Sequence, residues 1–303
     1  MTQFHSNINT ASEEFQRNRA DMLESIDTLR EILDRAATLS DKALPRFQRR
    51  GQLLPRERLS RVLDPGMPFL EIANMAGFLV DDPNRETAVP GCNIICGIGY
   101  ISGVRCMLMV DDSGINAGAM TALSARKGIR AMEIARRKKL PFVHLVESAG
   151  ANLLEYKVEM WLEGGTIFAS LARLSAAGVP TFVVLHGASA AGGAYMPGMS
   201  DYVIGVKGNG KAYLAGPALL KAATGEEADD EELGGAEMHS RVSGLVEYLA
   251  EDDAHGLAIA RELMQTLDWN RLCPRLPPAE FAEPVYDIDE LAGIVPKDYR
   301  QPY

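Results

Sequence analysis

The chain has 303 residues, of which 47% are hydrophobic and 24% are charged, and its net charge is −10. This composition is typical of a globular protein, and the length allows one large α/β domain or two small ones. The negative charge argues against nucleic acid as the main partner, although a local basic cluster could hold a polyanionic cofactor. No apolar run reaches the roughly 18 residues of a membrane span, and the polar start lacks a signal peptide's apolar stretch. We therefore expect a cytoplasmic protein that does not use a membrane as partner.

The first hundred residues predict helices followed by a hairpin. Residues 12–38 form an amphipathic helix in this prediction, because apolar residues recur along one stripe: Phe15, Met22, Ile26, Leu29 and Leu33. A second helix is predicted from Pro55, and Asp64-Pro65-Gly66 ends it. Residues 90–112 predict two strands joined at Ser102-Gly103.

A helix with a concentration of cations is predicted over residues 121–141. Seven cations fall within fourteen residues of an otherwise acidic chain: Arg126, Lys127, Arg130, Arg136, Arg137, Lys138 and Lys139. They form either a solvated helix face or a phosphate-binding surface, since arginine and lysine supply charge-assisted hydrogen bonds.

Two apolar strands that each end in a run of small residues are the main functional signal. Residues 142–146 and 181–185 are β-branched or aromatic and lack alternation, which is typical of parallel strands covered on both faces. The turns that follow are Ser148–Asn152 and Gly187–Ala194, and a helix is predicted between the two strand–turn pairs. Accessible backbone N–H groups at such turns can bind an anion or stabilise an oxyanion. The alternative interpretation is that the glycines only make room for close packing.

The rest of the chain predicts two short strands over 201–217, an acidic loop entering a helix at 223–235, and a helix over 250–267. The proline-rich tail resembles a linker. Cys92 and Cys96 lie in an apolar strand, so we expect buried thiols rather than metal ligands, and no metal site is predicted.

Several segments together resemble the carboxyltransferase (β) subunits of biotin-dependent acyl-CoA carboxylases, with geranyl-CoA and 3-methylcrotonyl-CoA carboxylases as the most similar members. They are RERLSRVLDPGMPFLEI (56–72), GIGYISGVRCMLMVDD (97–112), ESAGAN (147–152), HGASAAGGAYMPGMSD (186–201) and the block at 214–253, which is the most specific. The resemblance covers residues from about 50 to 303. It implies an α/β fold of the crotonase-like ββα-superhelix type, with a single N-terminal carboxyltransferase domain.

The resemblance also implies a domain organisation. We expect an N-terminal helical segment at 1–45, an acyl-CoA-binding N-terminal carboxyltransferase domain at 46–275, and a linker at 276–303 toward a C-terminal domain that this sequence lacks. In the family the C-terminal domain of a neighbouring subunit binds biotin, so the chain would hold half of a site. The implied partners are acyl-CoA, a biotin carboxylase/biotin carrier α subunit that brings carboxybiotin, and further copies in a trimer or hexamer.

The family transfers CO2 from carboxybiotin to an acyl-CoA through an enolate, and this implies roles for residues of the two turns. The oxyanion donors would be the backbone amides of Ala149 and Gly150. The cleft backbone would include Gly192, Gly193 and Ala194, and the substrate would contact Ala151, Ser189 and Ala190. Arg126, Lys127 and Arg130 are the candidates for CoA phosphate binding.

Gly164 occupies a position where methylcrotonyl-type relatives carry a bulky aromatic residue. Its small size would deepen the pocket for a longer acyl chain such as geranyl. The alternative is that this glycine only eases local helix packing.

Two other functions remain open at this point. One is a crotonase-type hydratase or thioester hydrolase, which would need a carboxylate or nucleophile in the cleft; Glu147 and Glu155 flank the first turn. The other is a non-catalytic acyl-CoA-binding or assembly module, because the biotin-binding half is missing.

Overall fold

The computed structural model describes residues 5–152, 158–274 and 282–302. Its contacts divide the chain into two units, one formed by residues 1–34 with 275–303 and the other by residues 35–274. The expected segments 1–45, 46–275 and 276–303 stay a prediction.

The described residues contain eleven helices and nine strands. The helices are α1 (Glu13–Asp41), α2 (Leu44–Arg49), α3 (Pro55–Val62), α4 (Ala122–Lys138), α5 (Val158–Ala176), α6 (Tyr195–Gly198), α7 (Pro217–Thr224), α8 (Asp230–Gly234), α9 (Ala236–Met238), α10 (Asp253–Thr266) and α11 (Trp269–Leu272). The strands are β1 (Leu70–Glu71), β2 (Ile94–Ile101), β3 (Val104–Asp111), β4 (Phe142–Val146), β5 (Thr181–Leu185), β6 (Ala188–Ala190), β7 (Tyr202–Val206), β8 (Lys211–Tyr213) and β9 (Tyr248–Ala250). Short 3-10 helices lie at Asn116–Gly118, Ala191–Ala194 and Ile288–Gly293, and a π-helical turn lies at His239–Ser243.

The larger unit is built on a seven-stranded sheet with the order β1-β2-β3-β4-β5-β7-β9. The first three strands pair antiparallel, and from β3 to β9 all neighbours are parallel. Strands β4 and β5 lie next to each other at the centre, so their carboxyl ends reach the same edge. The two turns singled out in the sequence therefore meet at that edge.

Alternate residues of the central strands pack on opposite sides of the sheet. One face carries Val143, Leu145, Phe182 and Val184 against α3 and α10, and the other carries Phe142, Val146, Val183 and Leu185 against α4 and α5. All ten residues of β4 and β5 are buried, which confirms the expectation of strands covered on both faces. The alternation continues for the first residue after each strand, so Glu147 and His186 lie on the face covered by α3 and α10.

The predicted hairpin is confirmed, and a carboxylate from a neighbouring loop holds its turn. Strands β2 and β3 pair in register, with Ser102 and Gly103 at the turn. The backbone N–H groups of Ser102 and Gly103 donate to the Asp64 carboxylate at 2.8 and 2.7 Å. Burial on its own would raise the pKa of Asp64, but these hydrogen bonds outweigh it and lower the pKa.

Cys92, Cys96 and Cys106 are buried free thiols. The sequence predicts burial for Cys92 and Cys96, but Cys92 lies in the turn before β2, with a φ of 54°, and not in the strand. Burial raises the pKa of Cys92 to about 11 and that of Cys96 to about 12. The described residues contain no group of three or more His, Cys, Asp or Glu side chains that could hold a metal ion.

The smaller unit contains the first part of α1 and the described part of the tail. Gly293 packs on the ring of Phe15, where an added Cβ would lie 2.4 Å from a ring carbon. Lys297 pairs with Glu24 at 3.0 Å. Within the described residues, the helices are too short or too polar to cross a membrane.

Candidate active site

The two small-residue turns touch each other through their backbones. The Ala190 N–H donates to the Ser148 carbonyl at 3.1 Å. A Cβ on Gly150 would lie 2.8 Å from the Ala190 carbonyl oxygen, and a Cβ on Gly193 would lie 3.1 Å from the Ser148 carbonyl oxygen. Because one turn packs directly on the other, glycine is required at 150, where φ is +82°, and a Cβ at 193 would make a tight contact.

A third segment, which follows β3, completes the edge of the sheet. The Ser148 hydroxyl donates to the Gly118 carbonyl at 3.2 Å, and the Met120 N–H donates to the Gly150 carbonyl at 2.7 Å. A Cβ on Gly118 would lie 2.5 Å from the Glu147 carbonyl oxygen. The first turn is thus held from both sides.

The second turn has more regular structure than the sequence predicts. Residues Ala188–Ala190 form β6, which pairs in parallel with β8, and Ala191–Ala194 form a 3-10 helix. Ala191 has a positive φ of 50°, and its N–H donates to the Leu214 carbonyl at 3.1 Å. Runs of small residues carry little strand signal, so this pairing could not be expected from sequence.

The amides proposed as oxyanion donors have different surroundings. Ala149 is exposed, and its N–H has no acceptor among residues 5–152, 158–274 and 282–302. The Gly150 N–H lies 3.2 Å from the Ser148 hydroxyl oxygen and donates to it. The role of both amides stays a prediction, with Ala149 the better placed donor.

An apolar cavity of about 110 Å3 opens between the turns and helices α4 and α5. Its larger lining side chains are Met120, Trp161, Ile167, Phe168 and Met196. Five of the residues proposed from the sequence also line it: Gly150, Ala151, Gly164, Gly192 and Gly193. Such a pocket suits an apolar chain whose polar end lies at the turns.

Gly164 belongs to the cavity wall rather than to a helix contact. It lies inside α5, and a Cβ added there or on Gly165 would meet nothing within 4 Å. The interpretation that Gly164 eases helix packing therefore has no contact to support it. Its effect on acyl specificity stays a prediction.

The three cationic side chains proposed to bind CoA phosphates differ in their exposure to solvent. Lys127 is buried, and its ammonium donates to the carbonyls of Gly91 and Ile94 at 3.1 and 2.7 Å. This placement does not favour phosphate binding, because both carbonyls would lose a buried partner. Arg126 and Arg130 are exposed, and Arg130 pairs with Glu133 at 2.6 Å.

Behind the turns lies a set of polar side chains that we name the buried charge cluster: Gln52, Arg58, Glu147, His186 and Asp253. All five are buried, and Arg58 and His186 are fully so. The Arg58 guanidinium donates to Glu147 at 2.8 Å through Nη1 and to Asp253 at 2.9 Å through Nε. The cluster is not expected from the sequence, where Glu147 only flanks the first turn; its signal is a charged or polar residue, Glu147 or His186, directly after each buried strand.

The protonation of the cluster follows from burial and its hydrogen bonds. Burial lowers the pKa of His186 below 6.5, and the positive charge of Arg58 lowers it further. The ring donates to Asp253 through Nδ1 at 2.8 Å, whereas Nε2 has no partner among the described residues. Burial on its own would raise the pKa of Asp253, but the hydrogen bond from His186 and the charge of Arg58 lower it to about 2.

These contacts give the hydrolase and hydratase alternatives no support. The bare His186 Nε2 does not bind a serine hydroxyl, and Glu147 is bonded to Arg58 rather than lining the cavity. Glu155 lies outside the described residues.

We expect the free energy of unfolding to fall as the pH is lowered from about 7.5 to about 5. Below pH 6.5 the unfolded chain binds a proton on His186 that the folded chain, with its lowered pKa, does not bind. The contribution of neutral His186 to the free energy of unfolding is fully present above pH 6.5. It is lost as the pH falls to the pKa that His186 has in the folded chain. Asp253 also makes the free energy of unfolding fall with falling pH, but only at lower pH. Its stabilising contribution is fully present above pH 3.8 and is lost as the pH falls through its folded-state pKa of about 2.

Urea unfolding at several pH values checks this expectation. His186→Asn should flatten the pH dependence between about pH 7 and 5, whereas the control His255→Gln, at an exposed position on α10, should keep the wild-type slope. Equal slopes in all three proteins would show that His186 does not titrate differently in the two states.

The comparisons with known proteins agree with the site. Residues 46–303 match the model of the carboxyl transferase domain. The chain is 45% identical over 262 residues to a Mycobacterium tuberculosis protein named "Probable biotin-dependent acyl-coenzyme A carboxylase beta2 subunit", covering 86% of this chain and 48% of that protein. It is 39% identical over 308 residues to the mitochondrial methylcrotonoyl-CoA carboxylase β chain of Arabidopsis thaliana, covering 98% and 51%.

Among solved structures, the β subunit of P. aeruginosa geranyl-CoA carboxylase superposes with a TM-score of 0.89 at 46% identity, covering 99% of this chain and 55% of that one. The chain thus spans about half the length of the curated relatives it matches. The crotonase-like α/β fold implied by the sequence resemblance is confirmed. The chain belongs to the carboxyl transferase domain family.

Proposed function

We propose that this chain is the acyl-CoA-binding part of the carboxyltransferase component of a biotin-dependent acyl-CoA carboxylase. The observation that carries the proposal is an apolar cavity that ends at two touching turns, where Ala149 is exposed and its N–H has no acceptor among the described residues. The acyl chain would enter the cavity, and the thioester oxygen would lie at the turns.

The turns suit a reaction in which negative charge develops on that oxygen. Backbone donors whose positions are fixed before the reaction stabilise an enolate without the cost of reorientation. The contacts of Gly150 and Gly193 with the opposite turn fix the backbone in this way. The protein would therefore contribute positioning and oxyanion stabilisation rather than a titrating base.

Biotin would come from a partner α subunit with biotin carboxylase and carrier functions. The cavity is apolar and offers few donors to a polar ureido ring, so this ring would approach the exposed side of the turns near Ala149. When bound, carboxybiotin supplies the activated CO2. We assign no described residue to it.

Assembly with further copies, as a trimer or hexamer, is part of the same proposal. Large apolar side chains are exposed beside the turns, including Trp161, Leu162 and Leu214 at 50, 77 and 77%. Burial of such side chains favours association with a covering surface.

Titration of the purified chain with acyl-CoA esters tests the proposal. We expect saturable calorimetric binding of butyryl-, 3-methylcrotonyl- and geranyl-CoA, with an affinity that depends on the acyl group, because the cavity buries that group. Free CoA is the control. Binding of free CoA as tight as that of the esters, or no binding of any ester, would contradict the proposal.

We further propose that Gly164 admits a long acyl chain. Gly164→Phe should weaken geranyl-CoA binding about tenfold or more relative to 3-methylcrotonyl-CoA, since the ring would fill much of a cavity of about 110 Å3. Ala172→Phe adds the same ring to an exposed position of α5 and should change neither affinity. An unchanged affinity ratio in Gly164→Phe would reject this role.

CoA phosphates would lie near the first half of α4. The double variant Arg126→Gln, Arg130→Gln should weaken binding of every CoA ester several-fold at low ionic strength, and added salt should reduce the difference. Arg136→Gln, Arg137→Gln removes the same charge from the last turn of the helix. Equal losses in the two double variants would show a general charge effect and no phosphate site.

A further inference from the structure

The buried charge cluster lies on the opposite side of the sheet from the cavity, directly behind both turns. Glu147 follows β4 and His186 follows β5, and by strand alternation both lie on the face covered by α3 and α10. The cavity lies on the face covered by α4 and α5. Glu147 and His186 are therefore bonded within the cluster on one side of the sheet. The turns that follow them line the cavity on the other side.

One guanidinium connects these two positions. Arg58 reaches Glu147 through Nη1, and it reaches His186 through Asp253, whose second carboxylate oxygen accepts from the His186 ring. Gln52 adds a direct link, because its Nε2 donates to the His186 carbonyl at 2.8 Å and lies 3.4 Å from the Glu147 carboxylate. Both turns are thereby tied to the segment formed by α3 and the residues before it.

The Glu147 side chain also touches the backbone of the second turn. A Cβ on Gly187 would lie 2.4 to 2.7 Å from three atoms of Glu147. A shift of the Glu147 carboxylate would consequently move Gly187, and with it the turn that packs on Ser148 and Gly150.

Stability alone does not account for an ion network at this place. The same sheet face is otherwise apolar, and buried ion pairs can often be replaced by apolar side chains without loss of stability. A forked guanidinium with two carboxylates fixes one geometry, which a lysine with its single ammonium would not reproduce.

We infer that Arg58 is a positioning residue, which acts through Glu147 and Asp253 to set the distance between the two turns and so the aim of the oxyanion donors. The inference rests on the proposed function for its chemical consequence. Its structural part, the coupling of the two turns, does not depend on the substrate.

The test compares Arg58→Lys with Arg61→Lys, which makes the same change at an exposed position of the same helix. Two CoA compounds serve as probes: a thioester, and an analogue in which a nitronate carries the charge of the enolate oxygen. Arg58→Lys should lose about tenfold or more in affinity for the nitronate but less than about threefold for the thioester, because donors aimed at the oxyanion act mainly on developed charge. Arg61→Lys should change neither.

Amide hydrogen exchange supplies the second readout. Arg58→Lys should speed exchange selectively at residues 147–152 and 187–194. If it does not fold, Glu147→Gln, which keeps the side chain's size, should give the same two effects more weakly.

Equal losses of affinity for the thioester and the nitronate, or faster amide exchange throughout the chain, would show that Arg58 is only a structural residue and would overturn the inference. Unchanged affinities and unchanged exchange would overturn it as well. If the wild-type chain binds neither probe but exchange still rises at the two turns, the proposed function fails and the positioning role stands.

Discussion

The backbone contact between the two strand-end turns is the constraint on which the site depends. Strands β4 and β5 are parallel neighbours, so their ends are brought together by the sheet itself. What the sheet does not set is how closely the following backbones approach. That approach requires glycine at 150, where φ is +82° and a Cβ would lie 2.8 Å from the Ala190 carbonyl oxygen, and it makes a Cβ at 193 a tight contact. Under the proposed function, the same close approach would also align the amides.

Helix α5 contains two glycines that lower its stability, and packing contacts do not explain them. A glycine inside a helix is less favourable than alanine by about 1 kcal/mol, and α5 contains two in succession. Among the described residues, an alanine at 164 or 165 would contact nothing within 4 Å, so it would gain helix stability without a clash there. Both glycines line the cavity. The proposed function accounts for this space through the acyl chain, and the role of Gly164 in specificity stays a prediction.

The sequence predicts the secondary structure well where local signals are strong. Turn residues predict the hairpin at Ser102-Gly103, and apolar runs without alternation predict strands β4 and β5. Helix α4 begins and ends within three residues of the predicted segment 121–141. The buried charge cluster could not be predicted, because its members lie far apart in the chain: Arg58 and Asp253 are joined only once α3 and α10 cover the same sheet face. The placement of Lys127 could not be predicted for a related reason. Charge spacing on α4 does not reveal that one of its cations faces two buried carbonyls.

The two faces of the sheet contribute different parts of the site. The face under α4 and α5 supplies an apolar cavity, in which the proposed function makes substrate selectivity depend on side-chain volume. The face under α3 and α10 supplies fixed charges that never reach the cavity. Since the turns line the cavity and also continue from Glu147 and His186 of the buried charge cluster, a substitution behind the sheet should affect transition-state stabilisation, whereas one in the cavity should affect ground-state binding. Arg58 and Gly164 are the residues at which these two effects can be separated.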